Sequence, residues 1–140
     1  MAKDYDVLFF LAADDVRKED NGKDIIIGVY NESMIVPTIP AALPTFTLWF
    51  QTKIRKLHFE KIKAHINDPS DKELVRIEGT IQFDNLIFPA TFSLKVSPLL
   101  LSAFGIYSVF LGMDSEEEKV GQFEVLSPEQ FASRKVNPRG

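Results

Sequence analysis

The chain has 140 residues, 45% apolar and 26% charged, which is the profile of a globular protein with a single core. Its formal net charge of -4, with no dense basic cluster, makes nucleic acid a poor partner. There is no Cys, which excludes disulfides, thiolate metal sites and a Cys nucleophile.

The first run, Tyr5 to Ala13, reads as a strand that ends at Asp14-Asp15. Its apolar part, Val7 to Ala13, is far too short for a bilayer span, so no membrane partner is expected. The preceding residues lack the basic region of an export signal, which points to the cytoplasm. A polar stretch with Asp20-Asn21-Gly22 then turns the chain. The second strand, Asp24 to Tyr30, is dominated by Ile25, Ile26, Ile27 and Val29, whose branching at Cβ favours extended backbone.

Pro37, Pro40 and Pro44 cannot donate to a central ladder, so 35–44 is expected to be an extended crossover or an edge. Thr45 to Gln51 is the third strand. Ile54 to Ile66 admits two readings. On a helix, Ile54, His58, Ile62 and Ile66 share a face; on a strand, Ile62, Ala64 and Ile66 oppose Lys61, Lys63 and His65. The strand from about His58 is preferred, because Asn67-Asp68-Pro69-Ser70 makes a natural turn after it.

The next two strands show the plainest alternation. Val75, Ile77, Gly79, Ile81 and Phe83 alternate with Arg76, Glu78, Thr80 and Gln82. After Asp84-Asn85, Phe88, Ala90, Phe92, Leu94 and Val96 alternate with Pro89, Thr91, Ser93 and Lys95. A period of two means one dry face and one wet, as in antiparallel sheets. An apolar loop, Ser97 to Gly105, precedes a seventh strand, Ile106 to Met113. An acidic turn, Asp114 to Glu118, leads to an eighth, Lys119 to Leu126. The whole predicts an all-β fold: one antiparallel β-sandwich of about eight strands over 1–126, immunoglobulin-like or C2-like, with a closed barrel as the alternative. The tail, 127–140, is expected as a short helical turn from the capping box at Ser127 and Gln130, or as a disordered end.

Several short motifs lie along this framework: Ala12-Ala13-Asp14, Gly22-Lys23, Ile26-Ile27-Gly28-Val29-Tyr30, Pro40-Ala41 with Leu43-Pro44, and Gly105-Ile106-Tyr107. In these the chain resembles an uncharacterised bacterial family, a domain of unknown function expected to be a small β-sandwich. The lysine-rich stretch Lys53 to Lys63 departs from that pattern. The resemblance implies no activity, cofactor or catalytic residue.

Metal is not expected. His58 and His65 are seven residues apart, which on a regular strand puts them on opposite faces. Asp14, Asp15, Glu19, Asp20, Asp114 and Glu116 would share one end if every strand reverses direction. Calcium there lacks ligand spacing, and Lys53, Arg55 and Lys56 fall at that end to compensate the charge. No nucleophile elbow, P-loop or zincin motif is present, so neither an enzyme nor a cofactor is expected.

Surface hydrophobicity carries the functional reading. If Phe46, Leu48 and Phe50 face inward, Trp49 falls on the outer row, where it anchors a partner or lies under another loop. The first two strands are apolar on both faces, so their second row is covered by the crossover 35–43 or by a second copy, and a homodimer is expected. In the loop 97–105, Leu100 and Phe104 belong either to a plug over the core or to a partner-binding patch continuous with the crossover. The function expected is a non-catalytic binding or assembly module; a small-molecule or carbohydrate-binding sandwich is the alternative.

Overall fold

A computed structural model describes residues 3–30 and 33–134. Eleven strands lie among them: β1 (Tyr5–Lys18), β2 (Asp24–Tyr30), β3 (Ser33–Ile35), β4 (Ala41–Leu43), β5 (Phe46–Ile54) and β6 (His58–Asn67) come first. Then follow β7 (Glu73–Gln82), β8 (Ala90–Val96), β9 (Leu99–Leu101), β10 (Gly105–Met113) and β11 (Glu118–Leu126). One short helix, α1 (Pro128–Ser133), closes the described chain. It starts at the expected capping box: the Gln130 N–H donates to Ser127 Oγ, and the Ser127 N–H donates to the Gln130 side chain. The disordered alternative for the last residues, 135–140, lies outside the described residues. Among the described residues, no helix is long and apolar enough to cross a membrane.

The strands form a sheet in the order β2-β1-β5-β8, a second in the order β3-β11-β10-β6-β7, and a small pair, β4-β9. Every pair is antiparallel except β3 with β11, which is parallel. This corrects the expectation of about eight strands, all antiparallel. Three of the eleven, β3, β4 and β9, are three-residue pieces inside segments read as connections. The prolines explain their brevity: β3 ends before Pro37, and β4 fits between Pro40 and Pro44, where amide donors are available.

Inward side chains of the two larger sheets meet in one core. The Phe123 ring of β11 lies 5.3 Å from Phe46 of β5 and 5.2 Å from Tyr107 of β10. At the other end, Tyr5 of β1 meets Phe59 of β6 edge-on at 6.2 Å. Each such side chain taken from water contributes about 1.5–3 kcal/mol, which makes this contact the main support of the fold.

Local chemistry moves two strand boundaries, and a third strand shifts register within itself. The first strand was expected to end at Ala13; β1 instead continues to Lys18 because both carboxylates find partners within the sheet. The Tyr30 hydroxyl donates to Asp14, and Asp15 pairs with Arg17 at 3.1 Å and with Lys95 at 3.0 Å. The strand expected from Phe88 begins at Ala90, because Pro89 has no hydrogen to give a ladder. Leu86, Ile87 and Phe88 are thereby left exposed in the β7–β8 loop.

The third change concerns β6. The strand reading of this segment holds, with Ile62, Ala64 and Ile66 buried. A register shift between Phe59 and Ile62 breaks the alternation, however, so that Phe59 is buried as well. Both His58 and His65 therefore face outward, not to opposite sides.

Candidate functional site

Over Tyr5–Ala13, β1 pairs with β5; over Ala12–Lys18 it pairs with β2. Past Ala13 the β1–β2 hairpin continues as an arm whose residues reach the side chains of β5 and β8. Four contacts with β5 and β8 fix it there, and an ion pair within the arm backs them. Asp24 Oδ2 accepts from Trp49 Nε1 at 3.0 Å and from Thr91 Oγ1 at 2.8 Å, while Asp24 Oδ1 faces Lys18 Nζ at 3.2 Å. Asp15 holds Lys95 of β8. The Thr47 hydroxyl donates to the Asp14 carbonyl at 3.3 Å. Burial pushes the Asp24 carboxyl up, but the bonds from Trp49, Thr91 and Lys18 outweigh it and hold the carboxyl below the ordinary aspartate value.

The root of the arm explains one of the motifs. Gly28 has φ +68°, and a Cβ there would stand 2.3 Å from Asp14 Oδ2, so only glycine lets the carboxylate sit beside it. Tyr30, two residues on, donates to that same carboxylate and stacks on Phe46 at 6.1 Å. Burial, with the Asp14 bond added, pushes the Tyr30 phenol up to about 12, so it stays protonated and remains a donor. Asp14, Gly28 and Tyr30 thus form one joint between the arm and the sheet.

Trp49 stands on the outer row as expected, but it is only 9% exposed. The arm covers it, and Phe9 meets its ring edge-on at 6.4 Å. Its ring is therefore not presented to a partner. The crossover does not cover the second row of the first two strands: its two short strands pair with β11 and β9 instead. Ile25, Ile27 and Val29 stand exposed at about two-fifths of their surface on the arm, and Phe9 and Leu8 at about half on β1. Val29 is paired with Ala13, whose side of β1 continues through Leu11 to Phe9.

The loop 97–105 and the crossover do meet, since Ala41–Leu43 pairs with Leu99–Leu101. Within that pair Leu99 and Leu101 are buried and Leu100 is 58% exposed. Phe104 packs partly buried against the core. The two residues named for one patch therefore divide: Phe104 belongs to the plug and Leu100 to the surface. The Gly105–Tyr107 motif secures the same end. A Cβ on Gly105 would meet Pro69 at 2.9 Å, and the Tyr107 hydroxyl donates to the Ala103 carbonyl at 2.7 Å.

Several titratable groups are engaged in pairs. His65 Nδ1 lies 2.6 Å from Glu117 Oε1, and its ring stacks on Phe110 at 4.4 Å. A carboxylate only accepts, so Nδ1 carries the hydrogen. Glu117 Oε2 also takes Arg76 at 3.0 Å. Burial raises the Glu117 carboxyl, yet these two partners bring it below the ordinary glutamate value. His58 is exposed and contacts Gln82 at 3.0 Å.

The six acids expected at one end are not gathered. Asp114 accepts from the Lys61 N–H at 2.7 Å and pairs with Lys56 at 2.7 Å, near the start of β1, whereas Asp14 and Asp15 lie inside β1. The strand-reversal argument fails here because β1 outruns its expected end and the crossover contributes strands of its own. Among the described residues, no group of three or more His, Asp or Glu is placed to share a metal ion. Sequence reasoning missed Asp24 and the arm, since no local pattern marks an aspartate at a strand start as the acceptor for a tryptophan 25 positions away.

No curated protein matches the chain. Residues 8–126 match the family of unknown function DUF6941, in keeping with the resemblance carried by the motifs above, and the chain belongs to that family.

Proposed function

We propose that the chain is a non-catalytic binding or assembly module of the bacterial cytoplasm. In this reading it is an immunoglobulin-like or C2-like sandwich that pairs with a second copy through the outward face of its β1–β2 arm. The observation that carries the proposal is the row Ile25, Ile27 and Val29, exposed on an edge strand with no segment of the described chain over it. A second copy suits it because the row is nearly palindromic about Ile27. A two-fold axis there sets Ile25 against the partner copy's row at its valine end, so one surface satisfies itself. A stable interface needs about 1,000 Å² in total, and a two-fold contact counts each patch twice. Ile25, Ile27, Val29 and Phe9, each exposed at about two-fifths to one-half, form the apolar part of that surface, with the stem of Arg17 at the rim.

The non-catalytic part rests on the groups just described. The apolar slot between β7 and β8, about 150 Å³, is lined by Ile62, Ile77, Ile81, Phe92 and Leu94, and Glu78 is its single titratable lining residue. That volume accommodates one side chain; a larger cleft, about 310 Å³, holds Lys3, Asp6 and Glu118, but these are taken up in ion pairs, Lys3 with Glu118 at 2.5 Å and Asp6 with Arg55 at 3.0 Å.

Light scattering at tens of micromolar tests the pairing. The expected mass is twice that of the chain for the natural sequence and that of one chain for Ile27→Lys, with the melting temperature of the variant little changed. A single-chain mass for the natural sequence would sink the proposal.

A further inference from the structure

We infer that Asp24 is the positioning residue of the pairing surface: its carboxylate latches the arm onto the sheet and so sets the plane of the row Ile25, Ile27 and Val29. This rests on the pairing proposed above. Past Ala13 the arm is a two-stranded ribbon, and such ribbons are marginal in water without support. Asp24 supplies that support at the far end, since one carboxylate gathers donors from three strands: Lys18 of β1, Trp49 of β5 and Thr91 of β8. Val16, opposite Ile26 in the same ribbon, is buried as well, so one side of the ribbon is seated while the other presents the isoleucines. The latched arm is therefore the pairing-competent state. An unlatched arm leaves the row free to swing, and the entropy of fixing it must then be met during association.

Trp49 is the single tryptophan, which makes its fluorescence a direct report on the latch. Asp24→Ala is expected to shift its emission to the red and to raise acrylamide quenching about twofold. In the same variant, self-association should weaken about tenfold or more. Asp24→Asn, which keeps the shape and one accepting oxygen, should fall between. Far-UV circular dichroism with a cooperative melt checks that the sheets are intact, and Ile27→Lys supplies the converse control, separating the copies while Trp49 stays covered. If Asp24→Ala uncovers Trp49 and the copies still pair at the natural strength, the inference is overturned and the pairing stands. A Trp49 signal unmoved in Asp24→Ala overturns the latch itself. A single-chain mass for the natural sequence overturns the pairing, whatever Trp49 reports.

Discussion

The space between the two larger sheets and the arm lying on one of them are both made of aromatic and β-branched residues, yet different forces hold them. Between the sheets, Phe46, Leu48, Phe50, Tyr107 and Val109 are closed off from water, and area alone explains their cohesion. On the arm, Ile25, Ile27 and Val29 remain in contact with solvent, and the element keeps its place through Asp14, Asp15 and Asp24. Burial is non-directional and tolerates small displacement; a carboxylate latch is directional and fails when one partner goes. The two regions should therefore answer differently to substitution.

The largest effect belongs to the core. Phe50 is fully buried, with Phe10 at 5.7 Å and Phe92 at 5.1 Å. Phe50→Ala should cost about 3–5 kcal/mol by chemical denaturation, with the whole transition moving as one. A loss below about 1 kcal/mol would mean that this layer is not the support described here. Next comes the joint. Gly28→Ala meets both the positive φ and the Asp14 carboxylate, so a loss of about 1–3 kcal/mol is expected. Hydrogen exchange should place that loss in the arm, with β10 and β6 unaffected; equal loss throughout would erase the distinction between the two regions. The smallest effect compares two neighbours. Phe104→Ala should destabilise by about 1–2 kcal/mol because its ring packs on the core, whereas Leu100→Ala should stay within about 0.5 kcal/mol. Equal effects would return both residues to one patch.

Much of the sheet structure was legible because alternation survives wherever one face is dry. The β7 residues Ile77 and Ile81 are half-buried while Arg76, Glu78, Thr80 and Gln82 are exposed, and β6 buries Ile62, Ala64 and Ile66 as its pattern requires. What misled was local chemistry answered at a distance. Asp14-Asp15 resembles a turn until Tyr30 and Lys95 are seen to satisfy it. The parity of His58 and His65 is reversed by a bulge that no residue type announces. The crossover and the apolar loop were correctly placed together, but their three-residue strands fall below what periodicity detects. The candidate site was only half visible. The apolar row on β2 could be read directly, while the cover over Trp49 depended on Asp24, whose role exists only once β5 and β8 are side by side.

The parallel pair β3–β11 bears on how the chain acquires its shape. Ser33 is matched with Glu124, so an early segment has no ladder until nearly all the described chain is available. The β1–β2 hairpin needs no such long loop: its strands meet on the microsecond scale of such elements, about 1–10 μs, and are held once β5 and β8 are in place. Closing β3 against β11 instead requires a long loop to be drawn in first, the kind of contact that makes β-rich domains slow to fold. During synthesis the arm and its isoleucines are therefore present well before the second sheet is complete. In that interval the row Ile25, Ile27 and Val29 is open to other unfinished chains, the kind of apolar surface that invites misassociation before a fold is complete.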